Sequence, residues 1–132
     1  MGIVAIMLEH TIEIRVRYQE TDGQGRLHHA NFFTYFEQGR VELLRSLGKS
    51  YRDLEAAGYL LVVSEISCRY FGGATFDDVL RLTTRAVEAK GARVVHEYEV
   101  RRGEERIAEG RSTVACINKD GRVCRLPVYL LG

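Results

Sequence analysis

One long helical pattern lies among segments that otherwise alternate like β-strands, and this contrast limits the folds open to the chain. Between Ala30 and Leu47, apolar residues recur at helical spacing on one face. The stripe consists of Phe32, Phe36, Gly39, Leu43 and Leu47, with Phe33 and Leu44 beside it. A lone amphipathic helix can bury such a stripe only if a curved antiparallel sheet wraps it. We therefore expect an α+β fold with one long central helix.

The flanking segments supply the strands of this sheet. In Thr11–Tyr18 the residues Ile12, Ile14, Val16 and Tyr18 share one face, which is typical of a half-buried strand. Asn31 is placed to cap the helix, and Gly48 is placed to end it. Gly39, within the stripe, indicates close approach of a strand. The other expected elements are a short helix at Ser50–Ala57 and strands at Tyr59–Phe71, Val79–Ala89, Val94–Arg101, Ile107–Ile117 and Val123–Leu126.

Size and composition restrict the class of protein. With 132 residues, 45% of them hydrophobic, we expect one domain spanning residues 1–132. The net charge of +1 argues against a nucleic-acid binder that works through bulk charge. Three cysteines without CxxC spacing favour reduced core thiols in a cytoplasmic protein. No apolar run reaches the roughly 20 residues of a membrane span. The start, MGIVAIMLEH, resembles no signal peptide, and Met1 and Met7 are both open as the true start.

The loop before the long helix carries the candidate chemistry. It contains Asp22, two glycines (Gly23 and Gly25) and the pair His28 and His29. A carboxylate near a helix start can attack a carbonyl carbon directly, or it can activate a water molecule to do so. The free N–H groups at the helix start can stabilise the negative charge that develops. The alternative is a solvated turn, because Asp-Gly is a common turn pair. A metal site is disfavoured, because adjacent histidines usually diverge and the spacing matches no metal motif.

The segment Tyr18–Arg45 resembles the signature of the 4-hydroxybenzoyl-CoA thioesterase family of hotdog-fold proteins, especially its YbgC-like acyl-CoA thioesterases. Its Tyr18, Thr21, Asp22, Gly25 and His29 are in register with the family pattern. The resemblance implies a hotdog fold, with the long helix wrapped by a curved antiparallel sheet. It implies that Asp22 is the catalytic nucleophile or general base. The backbone N–H of His29 would polarise the thioester oxygen, and its side chain could orient Asp22, water or the leaving thiolate.

Other residues are candidates for contact with a substrate. Tyr18 and Gly25 belong to the family motif, His28 could line the acyl pocket or face solvent, and Asn31 could contact substrate as well as cap the helix. Glu65 is an isolated acid in an apolar strand, so it is either a pairing or edge residue or a second pocket carboxylate. Lys90 and Arg93 could bind the phosphates of CoA, or could be ordinary solvated charges.

The expected function is hydrolysis of a short-chain or aromatic acyl-CoA to the free acid and CoA, without a metal or redox cofactor. Whether the thiol carrier is CoA or acyl-carrier protein stays open. The main alternative is a non-hydrolytic module that binds acyl-CoA, and a hotdog dehydratase or hydratase fits less well. The resemblance also implies homodimers that pair sheet edges and assemble into homotetramers. An unpaired sheet edge gives a separate physical reason to expect such pairing.

Overall fold

The computed structural model describes residues 4–127, with side-chain surroundings from Leu8 onwards. The ends of the expected 1–132 domain, including the first three residues of the N-terminal segment MGIVAIMLEH, lie outside these described residues. A 3-10 turn at Tyr18–Glu20 precedes the first helix. The elements are β1 (Val4–Arg15), α1 (Asn31–Ser46), α2 (Tyr51–Ala56), β2 (Leu60–Tyr70), β3 (Val79–Lys90), β4 (Arg93–Arg102) and β5 (Glu105–Ile117).

The five strands form one antiparallel sheet in the order β1-β3-β4-β5-β2. Register shifts interrupt each of the four strand pairings. Such irregularities bend strands and increase their twist, which lets the sheet curve around α1. The prediction of an α+β hotdog fold with a wrapped central helix is therefore confirmed. The order leaves β1 and β2 as the two edges of this sheet.

The apolar stripe of α1 packs into the sheet as predicted over most of its length. Phe32, Phe36 and Leu43 are buried, and the ring of Phe36 stacks on Tyr98 of β4 with centroids 4.2 Å apart. A Cβ added at Gly39 would collide with side chains of β3, so the predicted close approach is confirmed. These contacts hold α1 against the sheet, with its N-terminus beside the loop that carries Asp22.

Some expectations at the ends of elements are wrong. β1 ends at Arg15, and the 3-10 turn carries Tyr18 away from the buried face, leaving it 75% exposed. Leu47 lies beyond the end of α1 and is exposed. The strand expected at Val123–Leu126 is reduced to one bridge between Ile117 and Val123. In each case the apolar spacing in the sequence continues beyond the residue at which the helix or strand ends.

The cysteines and the helices can be compared with what the sequence predicts. Cys68, Cys116 and Cys124 are all free thiols, with Cys116 buried and the other two partly buried. None of the helices within residues 4–127 has the length and apolar character that a bilayer crossing requires.

Candidate active site

The loop that carries Asp22 is a small closed hairpin. Thr21 and Leu27 form an antiparallel bridge, and the Asp22 N–H donates to the Arg26 carbonyl at 2.8 Å. The chain reverses through a turn in which the Gly25 N–H donates to the Asp22 carbonyl at 2.9 Å. Gly25 has φ of 78°, in the left-handed region that favours glycine. The motif glycine therefore has a structural reason: it closes the turn that presents Asp22.

The Asp22 carboxylate is held by one of its oxygens. Its Oδ1 accepts from the backbone N–H groups of Gln24 at 2.8 Å and Arg26 at 3.3 Å. Its Oδ2 has no hydrogen-bond partner among the described residues. The Gln24 N–H holds the pKa of this carboxyl below its usual range, and the Arg26 N–H and nearby His28 act in the same direction against partial burial. Asp22 thus presents an ionised group with one free oxygen.

The start of α1 offers one free amide donor. The Asn31 N–H donates to the His28 carbonyl and the Phe32 N–H to the His29 carbonyl. The Ala30 N–H donates to Nδ1 of His28 at 3.0 Å, so the imidazole takes the place of a helix-capping side chain. Within residues 4–127, the His29 N–H has no acceptor. This amide lies at the positive end of the helix dipole, where an oxyanion is stabilised.

The two histidines stack instead of diverging. Their ring centroids are 4.2 Å apart, so the expectation of diverging side chains is wrong. Nδ1 of His28 is committed to the Ala30 N–H, which removes it as a metal ligand. Among the described residues, no group of three or more His, Cys, Asp and Glu side chains is arranged to hold a metal ion.

Tyr70 ties the edge strand β2 to this loop. Its hydroxyl donates to the His29 carbonyl at 2.9 Å, and its ring meets the His29 ring edge-on. Partial burial and Cys68 raise the pKa of Tyr70 to about 12, so the hydroxyl keeps its proton near neutral pH. Tyr70 could not be connected with this loop from the sequence, since no local pattern links residues 41 positions apart.

Asn31 does not cap the helix. Ala30 occupies the cap position, and the Asn31 side-chain Nδ2 donates to the Glu20 carbonyl at 2.8 Å. The His28 N–H donates to the same carbonyl at 2.9 Å. The prediction of Asn31 as a capping residue is therefore wrong. Its side-chain amide instead links the start of α1 to Glu20 at the end of the 3-10 turn.

Glu20 is the site residue that sequence reasoning missed. It stands in the loop before the long helix, yet it is only 7% exposed. Its Oε1 accepts from the Arg17 N–H and the Tyr35 hydroxyl, both at 2.8 Å, and its Oε2 accepts from the Arg17 guanidinium at 3.0 Å. Burial pushes the pKa of Glu20 up, but the three donors together hold it below its usual range. The only local sign of this role is the three-residue spacing between Arg17 and Glu20, which allows an ion pair.

The remaining predicted residues are spread over the fold. Tyr18 lies in the loop, where its carbonyl accepts from the Thr21 hydroxyl at 2.7 Å and its ring meets Phe76 at 5.1 Å. Glu65 is exposed near the middle of edge strand β2, which is the edge position that the sequence left open. Lys90 and Arg93 pair across the β3–β4 hairpin. Because Ala89 faces Val4 and Val79 faces Arg15, this hairpin is at the opposite end of the sheet from Asp22.

The chain matches known proteins over most of its length. A family model described as the thioesterase superfamily matches residues 24–109. The acyl-CoA thioesterase YbgC of Haemophilus influenzae is 32% identical over 106 residues, covering 80% of this chain and 78% of that protein. A solved Thermus thermophilus protein has a TM-score of 0.88 at 31% identity, covering 92% and 93% of the two chains. DHNA-CoA thioesterase of Staphylococcus aureus has a TM-score of 0.86 at 29% identity, covering 89% and 80%.

This chain belongs to the thioesterase superfamily, a family of thioester hydrolases. The matched range includes His28, His29 and all of α1, and begins just after Asp22. The solved relatives share its curved antiparallel sheet and central helix. The family resemblance seen in the loop sequence is therefore confirmed for the fold and for the enzyme class.

Proposed function

We propose that this protein is an acyl-CoA thioesterase that converts acyl-CoA and water into a free carboxylic acid and CoA. One observation carries the proposal: a held carboxylate with a free oxygen (Asp22) and an unpaired amide (His29 N–H) are presented by the same short loop. Thioester hydrolysis needs both groups, one to attack or activate water and one to stabilise the oxyanion. The similarity to an acyl-CoA thioesterase of Haemophilus influenzae supports the choice of substrate class.

The two groups have separate roles in this proposal. Asp22 either attacks the thioester carbonyl directly or takes a proton from the attacking water, and its lowered pKa keeps it ionised for either route. As the carbonyl carbon becomes tetrahedral, its oxygen gains negative charge. The His29 N–H at the start of α1 donates to that oxygen. Breakdown of the tetrahedral state breaks the C–S bond and expels the CoA thiolate, which takes up a proton. If water was the nucleophile, the free acid is formed in this step. If Asp22 was the nucleophile, an anhydride between Asp22 and the acyl group is left, and water hydrolyses it to release the acid and restore the Asp22 carboxylate.

Substrate contacts are assigned by position. Tyr18, Gly25, His28 and Asn31 surround the reacting groups on the same loop and helix start. Glu65, Lys90 and Arg93 lie away from Asp22 in the same chain, so any contact with its substrate would come from a neighbouring chain. The aromatic side chains around the loop suit a short aliphatic or aromatic acyl group, carried on CoA or on acyl-carrier protein.

A homodimer that assembles further to a homotetramer, in the cytoplasm, is part of the same proposal. Strand β2 is an open edge of the sheet and exposes Val62, Val63 and Tyr70, followed by exposed Phe71. Unpaired edges with apolar side chains favour pairing with another strand. Light scattering at micromolar concentration tests this expectation, and a monomer would contradict it.

The experiment is thiol release from a panel of short, long and aromatic acyl-CoAs, with the free acid identified by mass spectrometry. We expect at least one substrate to yield equal amounts of thiol and acid. Hydration would leave the thioester intact, which separates a hydratase from a hydrolase. Tight acyl-CoA binding without thiol release would instead establish the non-hydrolytic binding module and overturn the proposal.

A further inference from the structure

A buried cation lies under the C-terminal half of α1, away from the Asp22 loop. Arg40 is 7% exposed, and its Nη1 donates to the Tyr98 hydroxyl at 2.9 Å. Tyr98 in turn shares a hydrogen bond with the Ser112 hydroxyl. Tyr51 of α2 is close enough for the charge of Arg40 to oppose the rise that burial causes in the pKa of Tyr51. All of these partners are neutral hydroxyl groups.

No carboxylate of the described side chains forms an ion pair with Arg40. Buried charges in proteins are nearly always paired. A guanidinium carries five N–H donors in a planar fork that matches two oxygens of an oxyanion. Arg40 therefore has a charge without a counter-ion and the geometry to accept one.

A cleft leads to this cation. Two cavities of about 450 Å³ and about 50 Å³ share Arg40, Tyr51 and Leu61 in their walls. The remaining walls are mainly apolar, from Val41, Leu43, Leu44, Ala86, Val94 and Val114. Val62 and Val63 of edge strand β2 also line the larger cavity, so in the proposed dimer a neighbouring chain would border this side of the cleft. The cleft thus combines apolar walls with a single buried cation, a combination that suits an amphipathic anion.

A second polar group without a hydrogen-bond partner lines the smaller cavity. His96 is 7% exposed, and its Nδ1 has no hydrogen-bond partner in the part of the chain that the structure describes. Burial, together with the charge of Arg40, lowers the pKa of His96 to about 3, so its ring is neutral at physiological pH. A neutral imidazole can donate one hydrogen bond to an oxyanion that reaches Arg40.

Two carboxylates line the larger cavity together with this cation. Glu37 and Glu55 are both exposed. Water and salt screen their charges, whereas Arg40 acts where the dielectric constant is lower. The two carboxylates therefore oppose the binding of an anion only weakly, and Arg40 favours it.

We propose that the Arg40 cleft binds a carboxylate carried on an apolar body, with Arg40 pairing with the carboxylate. From Asn31 to Arg40, nine residues place the cation about 14 Å along α1 from the helix start. Two sources share this chemistry: a free carboxylic acid, and the far end of an acyl group that ends in a carboxylate. Only the second source rests on the proposed thioesterase function.

Calorimetric titration with octanoate and benzoate, each compared with its neutral amide, tests the site directly. We expect each carboxylate to bind at least about tenfold more tightly than its amide. In nuclear magnetic resonance spectra, the carboxylate should shift the side-chain signals of Arg40 and His96. Equal binding of acid and amide, no binding at millimolar concentration, or shifts confined to Asp22 and His29 would each overturn the proposal.

Substitutions locate the interaction. Arg40→Met should abolish the preference for carboxylate over amide, while Arg45→Met, an exposed arginine on the same helix, should keep it. Tyr51→Phe removes only a hydroxyl beside Arg40 and should weaken carboxylate binding a few-fold, which gives a result even if Arg40→Met fails to fold. Unchanged carboxylate binding in a folded Arg40→Met protein, or in Tyr51→Phe when Arg40→Met is unfolded, contradicts the assignment.

Kinetics separate the two sources. If the cleft receives the far end of the acyl group, Arg40→Met should raise KM for an acyl-CoA that ends in a carboxylate and not for its methyl-ended counterpart. If it receives a free acid, both KM values should stay equal while the calorimetric loss remains. An inactive wild-type protein that still prefers carboxylates in calorimetry would refute the thioesterase proposal and leave this site standing.

Discussion

Glu20 and Asp22 are carboxylates two residues apart that have opposite surroundings. Glu20 is buried, and both of its oxygens are occupied by donors from Arg17 and Tyr35. Asp22 is partly exposed, and backbone amides occupy only one of its oxygens. Both pKa values are lowered, yet only Asp22 keeps an oxygen that a substrate could reach.

The difference shows that two carboxylates in one short stretch have separate tasks: Glu20 holds the loop in place, and Asp22 is free to react. The carboxylate of Glu20 fixes the loop to Arg17 and to Tyr35 of α1, and its carbonyl accepts from His28 and Asn31. Those bonds determine where the His29 amide points. A lowered pKa by itself therefore does not identify a reacting group, and unused hydrogen-bonding capacity is the more useful criterion.

The largest effect is expected for Asp22→Asn. The amide keeps Oδ1 as acceptor for the Gln24 N–H, so the turn should persist, but it can neither attack nor accept a proton. We expect kcat to fall by about 10²–10⁴-fold with little change in melting temperature. Asp120→Asn is the matched control, since Asp120 precedes a glycine in another exposed turn. Full activity in Asp22→Asn would make Asp22 a turn residue and Glu65 the next carboxylate to test.

Glu20→Gln should mainly affect stability. Gln keeps one acceptor oxygen but turns an amide donor toward the Arg17 guanidinium, leaving a buried group unsatisfied. We expect the free energy of unfolding in urea to fall by about 2 kcal/mol. Glu13→Gln, on the exposed face of β1, should change it little. Equal losses in the two variants would show that the Glu20 contacts contribute nothing specific.

The pH dependence of stability follows from the same carboxylate. The folded pKa of Glu20 is below its ordinary value of 4.5, so its contribution is fully present above that pH and is lost as pH falls through the folded pKa. Asp78 and Glu99 also have lowered pKa values and add to the decline. Wild-type stability, measured by urea unfolding from pH 6 to pH 3, should therefore fall more steeply than that of Glu20→Gln. Parallel curves would contradict a charged, stabilising Glu20.

The smallest effect is expected for His29→Phe. The proposed oxyanion donor is the backbone N–H, which any residue except proline supplies. We therefore expect kcat to fall by less than about tenfold. A loss as large as that of Asp22→Asn would assign the essential role to the imidazole side chain.

The fold could be predicted from the sequence wherever periodicity extends over many residues. The helical spacing from Phe32 to Leu43 predicted α1 and its buried face, and Gly39 predicted the approach of a strand. The pattern failed at Tyr18 and Leu47, where the backbone turns away from the core although the spacing continues. Element ends depend on neighbouring backbone that a local pattern does not contain.

The candidate site could be predicted only where a local motif marks it. Asp22, Gly25 and His29 stand in one motif, and the structure presents them on one loop. Tyr70 and Arg40 owe their roles to partners 41 and 58 positions away, so no local signal distinguishes them. Glu20 has a partner 15 positions away, and its only local signal is the nearby Arg17. Arg40 lies four residues after Phe36 and three before Leu43, so helical spacing places it on the apolar face, but a charged residue is rarely buried there.

The most direct test of this division of tasks measures kcat and melting temperature for Asp22→Asn and Glu20→Gln in the same series, with each rate corrected for the folded fraction. We predict that Asp22→Asn loses activity and keeps its melting temperature, while Glu20→Gln has a lower melting temperature and keeps more activity per folded molecule. Asp22→Asn with wild-type kcat, beside an inactive Glu20→Gln that melts like the wild type, would contradict it and assign the chemistry to Glu20.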